Sequence, residues 1–333
     1  MTQPRDSLDV LADVIREHYR LGTISRPAPL EQAHQRRHQK LVVETSHGKF
    51  LAKTYKRDPY VLDALRFQHR LSDHLSANDI PVARIQNAAD GKRIIEQDNW
   101  AMELQELVEG KPMVVGKDTL IISAQALGRF HDVCRDHPRP ERDAQMWRFS
   151  EVPRTSFQSL YELAKRQADP AQMDAYCNQI ALFLHDAGDA LNLEQRSKFE
   201  TGLIHGDWHS GNLIFQEGTL AAVVDLEFSG DGCYLEDLAY AISNLCVRTT
   251  MRHTRLSKRT DLLLDNYQQF RTLSFHEEAA LYYAVGVKHV ATVSYQSRSS
   301  GGVLAGHTAA EWLERLAVQC VWLAERAKAV RFG

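Results

Sequence analysis

Three polar clusters stand close together between Leu203 and Gly230: His205-Gly206-Asp207, Ser210-Gly211-Asn212, and Asp225 with Glu227. Short apolar segments separate them, Leu213-Ile214-Phe215 and Leu220-Ala221-Ala222-Val223-Val224, and Glu217-Gly218 between these segments is a hairpin turn signal. A hairpin here is expected to bring Asn212, where it begins, close to Asp225, where it ends. A carboxylate and an amide oxygen so placed suit Mg2+, which takes hard oxygen ligands and shares its shell with substrate phosphates. A second carboxylate outside that shell, Asp207, is then free to accept the proton of an attacking hydroxyl. The chemistry that uses such a set is phosphoryl transfer.

In protein kinases the catalytic-loop Asp is followed by a metal-binding Asn and, further on, by a metal-binding Asp. Asp207 and Asn212 have the matching spacing of five. HGDWHSGN followed by VVDLEFSG resembles the aminoglycoside phosphotransferase and choline kinase superfamily, whose motif reads HGD-x-H-x-x-N and then two hydrophobic residues and Asp. A lone HGD would say little; the two-part motif is specific, and an acidic turn without chemistry needs no such spacing. The resemblance implies an α+β, protein-kinase-like two-lobed fold. Residues 1–107 would form a small N-terminal lobe built on an antiparallel sheet, and 108–333 a larger, mainly helical C-terminal lobe. It also implies ATP and Mg2+ as cofactors and transfer of the γ-phosphoryl group to a hydroxyl of a small molecule. Asp207 would be the base, Asn212 and Asp225 the metal ligands, and His205 a residue that fixes the loop.

The elements that must position these residues follow from local patterns. Ser7 to Tyr19 reads as an amphipathic helix with Leu8, Leu11 and Ile15 on one face. Lys40–Thr45 and Lys49–Tyr55, joined through Ser46-His47-Gly48, read as a β-hairpin. Lys53 lies in its second strand, where the kinase layout puts the lysine that reaches the nucleotide phosphates. The helix expected over Tyr60–Ser76 matches the family's C-helix, which normally supplies a glutamate for that lysine. This chain has Gln68 there, within Phe67-Gln68-His69, and Gln68 is expected to offer Lys53 a hydrogen bond without an ion pair. The nucleotide-covering segment, expected at Gln32–Gln39, holds no glycine. Arg36, Arg37 and Lys40 would supply phosphate-binding charge in its place, or form a solvated basic turn.

Ile80-Pro81-Val82 is expected to start a strand through Gln86, and Trp100–Val108 to form the last strand and the linker. Glu106-Leu107-Val108-Glu109-Gly110 resembles the family's hinge, so the backbones of Glu106 and Val108 are the expected adenine contacts. His131, in Leu127-Gly128-Arg129-Phe130-His131, reads as a packed structural histidine, and Asp237 as a helix cap or a brace for the catalytic loop. Helices are expected from Phe157 to about Glu200, at Glu277–Ser297 and at His307–Val330. Trp147, Trp208, Glu227 and Asp231 are candidates to line a pocket for a polar or cationic substrate.

Composition narrows the class. With 333 residues, 44% hydrophobic and 25% charged, the chain suits two cores of a soluble globular protein. A net charge of -3 gives no reason to expect nucleic-acid binding. No apolar run approaches the length of a membrane span, and the N-terminus lacks a signal-peptide core. Five dispersed cysteines without CxxC spacing read as reduced thiols, which suits the cytoplasm. The pattern leaves two alternatives open: a protein Ser/Thr kinase of the same fold with an open acceptor cleft, or a non-catalytic nucleotide-binding protein. The acceptor and the oligomeric state are not legible.

Overall fold

The computed structural model describes residues 6–30, 39–139 and 152–332. Of the expected nucleotide-covering segment only Gln39 is among them; Arg36, Arg37 and Trp147 lie outside the described residues. The architecture is α+β and divides into two compact units, residues 1–111 with 214–227, and residues 112–213 with 228–333. A contiguous division at 107/108 would count the hairpin after Leu213 with the C-terminal part; by compactness residues 214–227 group with the first unit.

The first unit is built on a five-stranded antiparallel sheet. Its strands are β1 (Ala28–Pro29), β2 (Gln39–Thr45), β3 (Gly48–Lys56), β4 (Ile95–Glu96) and β5 (Trp100–Glu106), in the order β1-β2-β3-β5-β4. Period-two alternation decides its two faces. Leu41, Val43, Phe50, Ala52, Met102 and Leu104 share one face and bury against Leu11, Val14 and Ile15 of helix α1 (Asp6–His18). On the opposite face the register sets Lys40 across from Lys53, and Lys53 across from Glu103. Helix α2 (Pro59–Ala77) starts with Pro59 at its first turn, and the Asp58 side chain accepts the Tyr60 N–H at 3.0 Å. Its Leu62 and Leu65 pack on Ala101.

The strand expected to start at Ile80-Pro81-Val82 and run through Gln86 does not form. Pro81 has no N–H to donate, and the segment makes isolated bridges only, Val82 to Val223 and Ile85 to Gln105. The first of these ties in the later hairpin. After a two-residue strand β6 (Lys111–Pro112) and β7 (Thr201–Ile204), strands β8 (Leu213–Gln216) and β9 (Thr219–Val223) turn through Glu217 and Gly218. Both turn residues have positive φ, 49° and 83°, as a two-residue primed turn requires. Val223 N–H then donates to Pro81 C=O at 2.8 Å.

The second unit is mainly helical: α3 (Lys117–Val133), α4 (Arg154–Gln167), α5 (Pro170–Ala190), α6 (Leu193–Arg196), α7 (Tyr234–Ile242), α8 (His253–Tyr267), α9 (Phe275–Ser299) and α10 (Ala309–Phe332). Strand β7 pairs antiparallel with β10 (Gly230–Cys233), which leads directly into α7. Helix α9 is buried without a break from Ala280 to Ser294, so it is the central helix, packed by α4, α5, α7 and α10. All five cysteines are free, and Cys134, Cys246 and Cys320 are buried as small apolar groups. No helix among the described residues is long and apolar enough to cross a membrane.

A buried ion pair fixes the start of α9. Ser274 caps the helix, and Glu277 returns its carboxylate to the Ser274 N–H at 2.9 Å. Arg271 donates to both Glu277 oxygens at 2.6 and 2.7 Å and also to Glu200. Glu277 is 0% and Arg271 4% exposed. Arg271→Met therefore leaves a carboxylate buried without its counter-charge, at a cost of about 3–5 kcal/mol. The urea midpoint should fall, and Glu277→Gln added to Arg271→Met should recover part of the loss. A midpoint unchanged by Arg271→Met would refute this account.

Candidate active site

The polar face of the first unit's sheet gathers Lys53 and its carboxylates. Lys53 is 4% exposed, and its Nζ donates to Asp225 Oδ1 at 3.1 Å. Lys40, its cross-strand neighbour, donates to both Asp225 oxygens at 2.9 and 2.6 Å. Burial by itself would lift the Asp225 carboxyl; Lys53 and Lys40 hold it far below the usual carboxylate range instead. Burial likewise works against the Lys53 ammonium, and Asp225, Glu103 and Glu227 outweigh it and push its pKa up. Asp225 itself sits at φ 61°, a left-handed conformation that Asp tolerates better than most side chains.

Gln68 lines the same cavity as Lys53, together with His69, Ser72, Glu103 and Asp225. Among the described residues Lys53 donates to Asp225 and makes no hydrogen bond with Gln68. The neighbouring helix residue His69 makes the tie from α2 to the sheet instead, with Nε2 2.6 Å from Glu103 Oε2. Glu103 is 1% exposed and also accepts from the Tyr55 hydroxyl at 2.9 Å and from Gln105 Nε2 at 2.7 Å. Burial opposes its charge, but these donors and the Lys53 charge hold its carboxyl below the usual range. An ionised carboxylate has no proton to offer, so His69 Nε2 carries the hydrogen of that bond. The sequence reading missed Glu103 as the second carboxylate near Lys53. The signal was present: an acidic residue at a position flanked on both sides by buried strand residues, where a charge needs partners.

At the end of β5 the backbone is partly engaged. Glu106 N–H donates to Arg84 C=O at 2.8 Å and Leu107 N–H to Lys49 C=O at 3.0 Å. Val108 N–H has no acceptor among the described residues.

The second unit holds the loop with Asp207 and Asn212. Asp237, 1% exposed on α7, accepts the N–H groups of His205 at 2.7 Å and Gly206 at 2.9 Å. His131 Nε2 lies 3.2 Å from the same carboxylate, and its Nδ1 lies 2.8 Å from the Tyr267 hydroxyl. Burial opposes the Asp237 charge and the His131 bond lowers its pKa on balance, while burial lowers that of His131. Neutral His131 thus donates from Nε2 and accepts the tyrosine hydroxyl at Nδ1. It is the packed structural histidine expected from the sequence, and Asp237 is the brace. Gly206 adopts φ 82°, and a Cβ there would lie 2.5 Å from Phe228 C=O, so no larger residue fits beside Asp207.

Asp207 is held from both oxygens. The Tyr240 hydroxyl donates to Oδ1 at 2.8 Å, and Asn212 Nδ2 donates to Oδ2 at 3.0 Å. His209 Nδ1 accepts the Gly211 N–H at 2.9 Å, so its Nε2, 3.4 Å from Asp207 Oδ2, carries the proton. Burial opposes ionisation, and the His209 and Tyr240 bonds overcome it to lower the Asp207 pKa. Asn212 is 5% exposed and uses its amide N–H2 on Asp207, which leaves its Oδ1 without a hydrogen bond from any described residue. A hard amide oxygen in the second unit and an ionised carboxylate, Asp225, in the first are the donor types Mg2+ takes. Each is thus chemically suited to that ion. No group of three or more His, Cys, Asp or Glu gathers as a metal cage among the described residues.

Trp208 corrects an expectation. It does not line a substrate pocket: it is 0% exposed and donates from Nε1 to Ser123 Oγ at 3.0 Å. Tyr240, on a helix distant in sequence, was not legible as an Asp207 partner at all.

The depressed Asp225 pKa makes a pH prediction. A carboxylate whose folded pKa lies below its unfolded value contributes stability that is fully present above the unfolded pKa, about 3.9. That contribution is lost as pH falls through the folded value. Stability should therefore decline below about pH 4, and Asp225→Asn should make the decline less steep. Parallel acid limbs for the two proteins in urea titrations would contradict the assignment.

A model of the phosphotransferase enzyme family matches residues 31–272 of the 333. Stress response kinase A of Salmonella choleraesuis is 26% identical over 197 residues, covering 57% of this chain and 55% of that protein. The chain thus spans little more than half the length of that relative. Homoserine kinase of Rhodopseudomonas palustris is 22% identical over 285 residues, covering 82% of this chain and 78% of that protein. An amicoumacin kinase solved in complex with AMP-PNP, Ca2+ and Ami has the same fold, with a TM-score of 0.65 over 94% of this chain and 93% of that one, at 15% identity. The family match takes in Lys53, the Asp207 loop, Asp225 and Asp237, and the chain belongs to the phosphotransferase enzyme family.

Proposed function

We propose that this chain is an ATP- and Mg2+-dependent kinase that moves the γ-phosphoryl group of ATP to a hydroxyl of a small molecule, in the cytoplasm. The observation that carries the reading is the Asp207 carboxylate, ionised and aimed by Tyr240 and Asn212. Kinase names among the relatives and the nucleotide and divalent ion in the amicoumacin kinase complex support it.

Lys53 is the phosphate-binding lysine, its positive charge maintained by Asp225 and Glu103. The Glu106 C=O and the Val108 N–H are the adenine contacts, and Gln68 belongs to the cavity behind Lys53. Asn212, through Oδ1, and Asp225 are the metal ligands, and the bound ion would neutralise charge on the phosphate oxygens. Asp207 orients the acceptor hydroxyl by accepting its hydrogen bond. As the new O–P bond forms and the bond from Pγ to the ADP oxygen breaks, the hydroxyl proton passes to Asp207 and then to solvent. A weakly basic carboxylate suits a loose transition state, in which the hydroxyl becomes acidic only as the new bond develops. Glu103 is a positioning residue, supplying from β5 the negative charge that Gln68 does not supply from α2.

Calorimetry and turnover test the assignments. Asp225→Ala should weaken Mg-ATP binding and abolish transfer; equal affinity in the two proteins would remove Asp225 from the metal site. Asp207→Asn should keep nucleotide affinity and lower kcat by about 10²–10⁴-fold. Near-normal turnover would give Asp207 another role.

Glu103→Gln should weaken Mg-ATP binding severalfold, and adding Gln68→Glu should restore part of it by returning a carboxylate to the Lys53 cavity. Failure of the second change to rescue the first would mean that Glu103 acts through packing alone.

A further inference from the structure

Helix α7 does not end cleanly. It continues as a π-helical turn over Ser243–Val247, in which Arg248 N–H donates to Ser243 C=O at 2.9 Å. Such turns are uncommon and often sit at functional sites. A buried network holds this one in place. Gln319 Nε2 donates to Val247 C=O at 2.7 Å and to Thr250 C=O at 3.0 Å. Its Oε1 lies 2.9 Å from His289 Nε2, and His289 Nδ1 lies 3.1 Å from Ser243 Oγ. Burial pushes His289 down to about 4, with the charges of Arg248 and Arg315 adding to the effect, so the ring is neutral. It therefore donates from Nε2 to Gln319 and accepts the serine hydroxyl at Nδ1.

The product of this support is the placement of Arg248. Its Cζ lies 5.8 Å from the centroid of Trp312, and Arg315 lies 5.0 Å from the same ring. Trp312 is 1% exposed and fixed by its own bond from Nε1 to Leu304 C=O. Two guanidinium groups thus share one aromatic ring. Neither forms an ion pair with a carboxylate among the described residues. Arg315 Nη2 donates to the Arg248 C=O at 3.3 Å, while its Nε is buried with no partner. Glu311 and Glu314 are within electrostatic range of Arg315, but Glu311 is already bonded to Thr308. Burial lowers the pKa of both arginines.

Both arginines are half-buried, and cation–π contact returns little against the cost of drawing two like charges together partly out of water. An arginine fork without a counter-ion is suited to bidentate capture of a carboxylate or phosphate. The location fits an acceptor. Arg248 closes the helical run that begins with α7 and also carries Tyr240, whose hydroxyl is bonded to Asp207. The same stretch carries Arg252, Arg255, Lys258 and Arg259 with no acidic residue from Arg248 to Thr260, in a chain of net charge -3.

We propose that Arg248 and Arg315, stacked on Trp312, form an oxyanion subsite at the end of the helical run that presents Tyr240 to Asp207, so that the phosphoryl acceptor is a hydroxylated small molecule bearing a carboxylate or phosphate. This rests on the kinase reading above and, of the polar or cationic substrate expected from sequence, keeps the polar option and drops the cationic one.

Inorganic phosphate is the probe, read as the rise in Tm it causes. Lys53→Ala separates the nucleotide side and should keep the rise. Arg248→Gln and Arg315→Gln should each raise the apparent Kd for phosphate about 10- to 100-fold, the effect of losing hydrogen bonds to a charged group. Arg248→Lys, which keeps the charge without the fork, should retain a smaller rise. No rise in wild type, or the same rise in Arg248→Gln, overturns the subsite. A screen of hydroxylated metabolites for ATP-dependent ADP release tests the acceptor class. An acceptor it returns should carry an oxyanion, and its KM should increase in Arg248→Gln while KM for ATP stays constant. A neutral or cationic acceptor, or an unchanged acceptor KM, overturns the proposal. Absence of Mg-ATP binding in wild type would instead sink the kinase reading and leave the phosphate result standing.

Discussion

A lysine buried to 4% exposure is costly unless opposite charge is buried with it, and Lys53 is the charge around which the first unit is arranged. Its neighbours answer that requirement from two directions. Glu103 faces it across the β3–β5 ladder and Asp225 arrives on the hairpin bound at Pro81, while Lys40, across β2–β3, shares Asp225 with it. Each depends on register: a slip of one residue would turn Lys53 into the apolar face shared by Ala52 and Leu104. The packing of α1 on that face therefore helps decide which side chains meet on the other.

The second unit solves a different problem, holding still the irregular segment 205–209 between β7 and the 3-10 turn at Ser210–Asn212. Asp237 does this by taking two consecutive backbone N–H groups, and His131 with Tyr267 fixes the orientation of Asp237 in turn. Asp207 is then presented with both oxygens already engaged, so in the reaction proposed above little reordering would be needed when a hydroxyl approaches. Helix α7 supplies both Asp237 and Tyr240, and its π-helical continuation carries Arg248. One helix thus braces the loop, orients the carboxylate and leads to the proposed anion subsite.

With glutamine in place of glutamate at position 68, Lys53 was expected to have a hydrogen bond from α2 but no ion pair there. The geometry offers a physical alternative, in which negative charge is moved from helix to strand and the helix is retained through His69. What the site requires near Lys53 is charge, and a cross-strand position can deliver it as well as a helix can.

The sequence alone determined whatever rests on local pattern. The β2–β3 hairpin, the α1 face, the α2 span, the Glu217-Gly218 turn and the five-residue spacing of Asp207 and Asn212 were legible because periodicity, turn chemistry and loop spacing are short-range. The family followed from the same motif. Tertiary structure decided the pairings: Lys53 with Asp225, His69 with Glu103, Tyr240 with Asp207, and Arg248 with Trp312. It also buried Trp208, which adjacency to Asp207 had suggested was a pocket residue. These outcomes depend on which strand lies beside which and which helix crosses which, and a residue's chain neighbours do not encode the partner it meets when distant segments pack and buried charges must be satisfied.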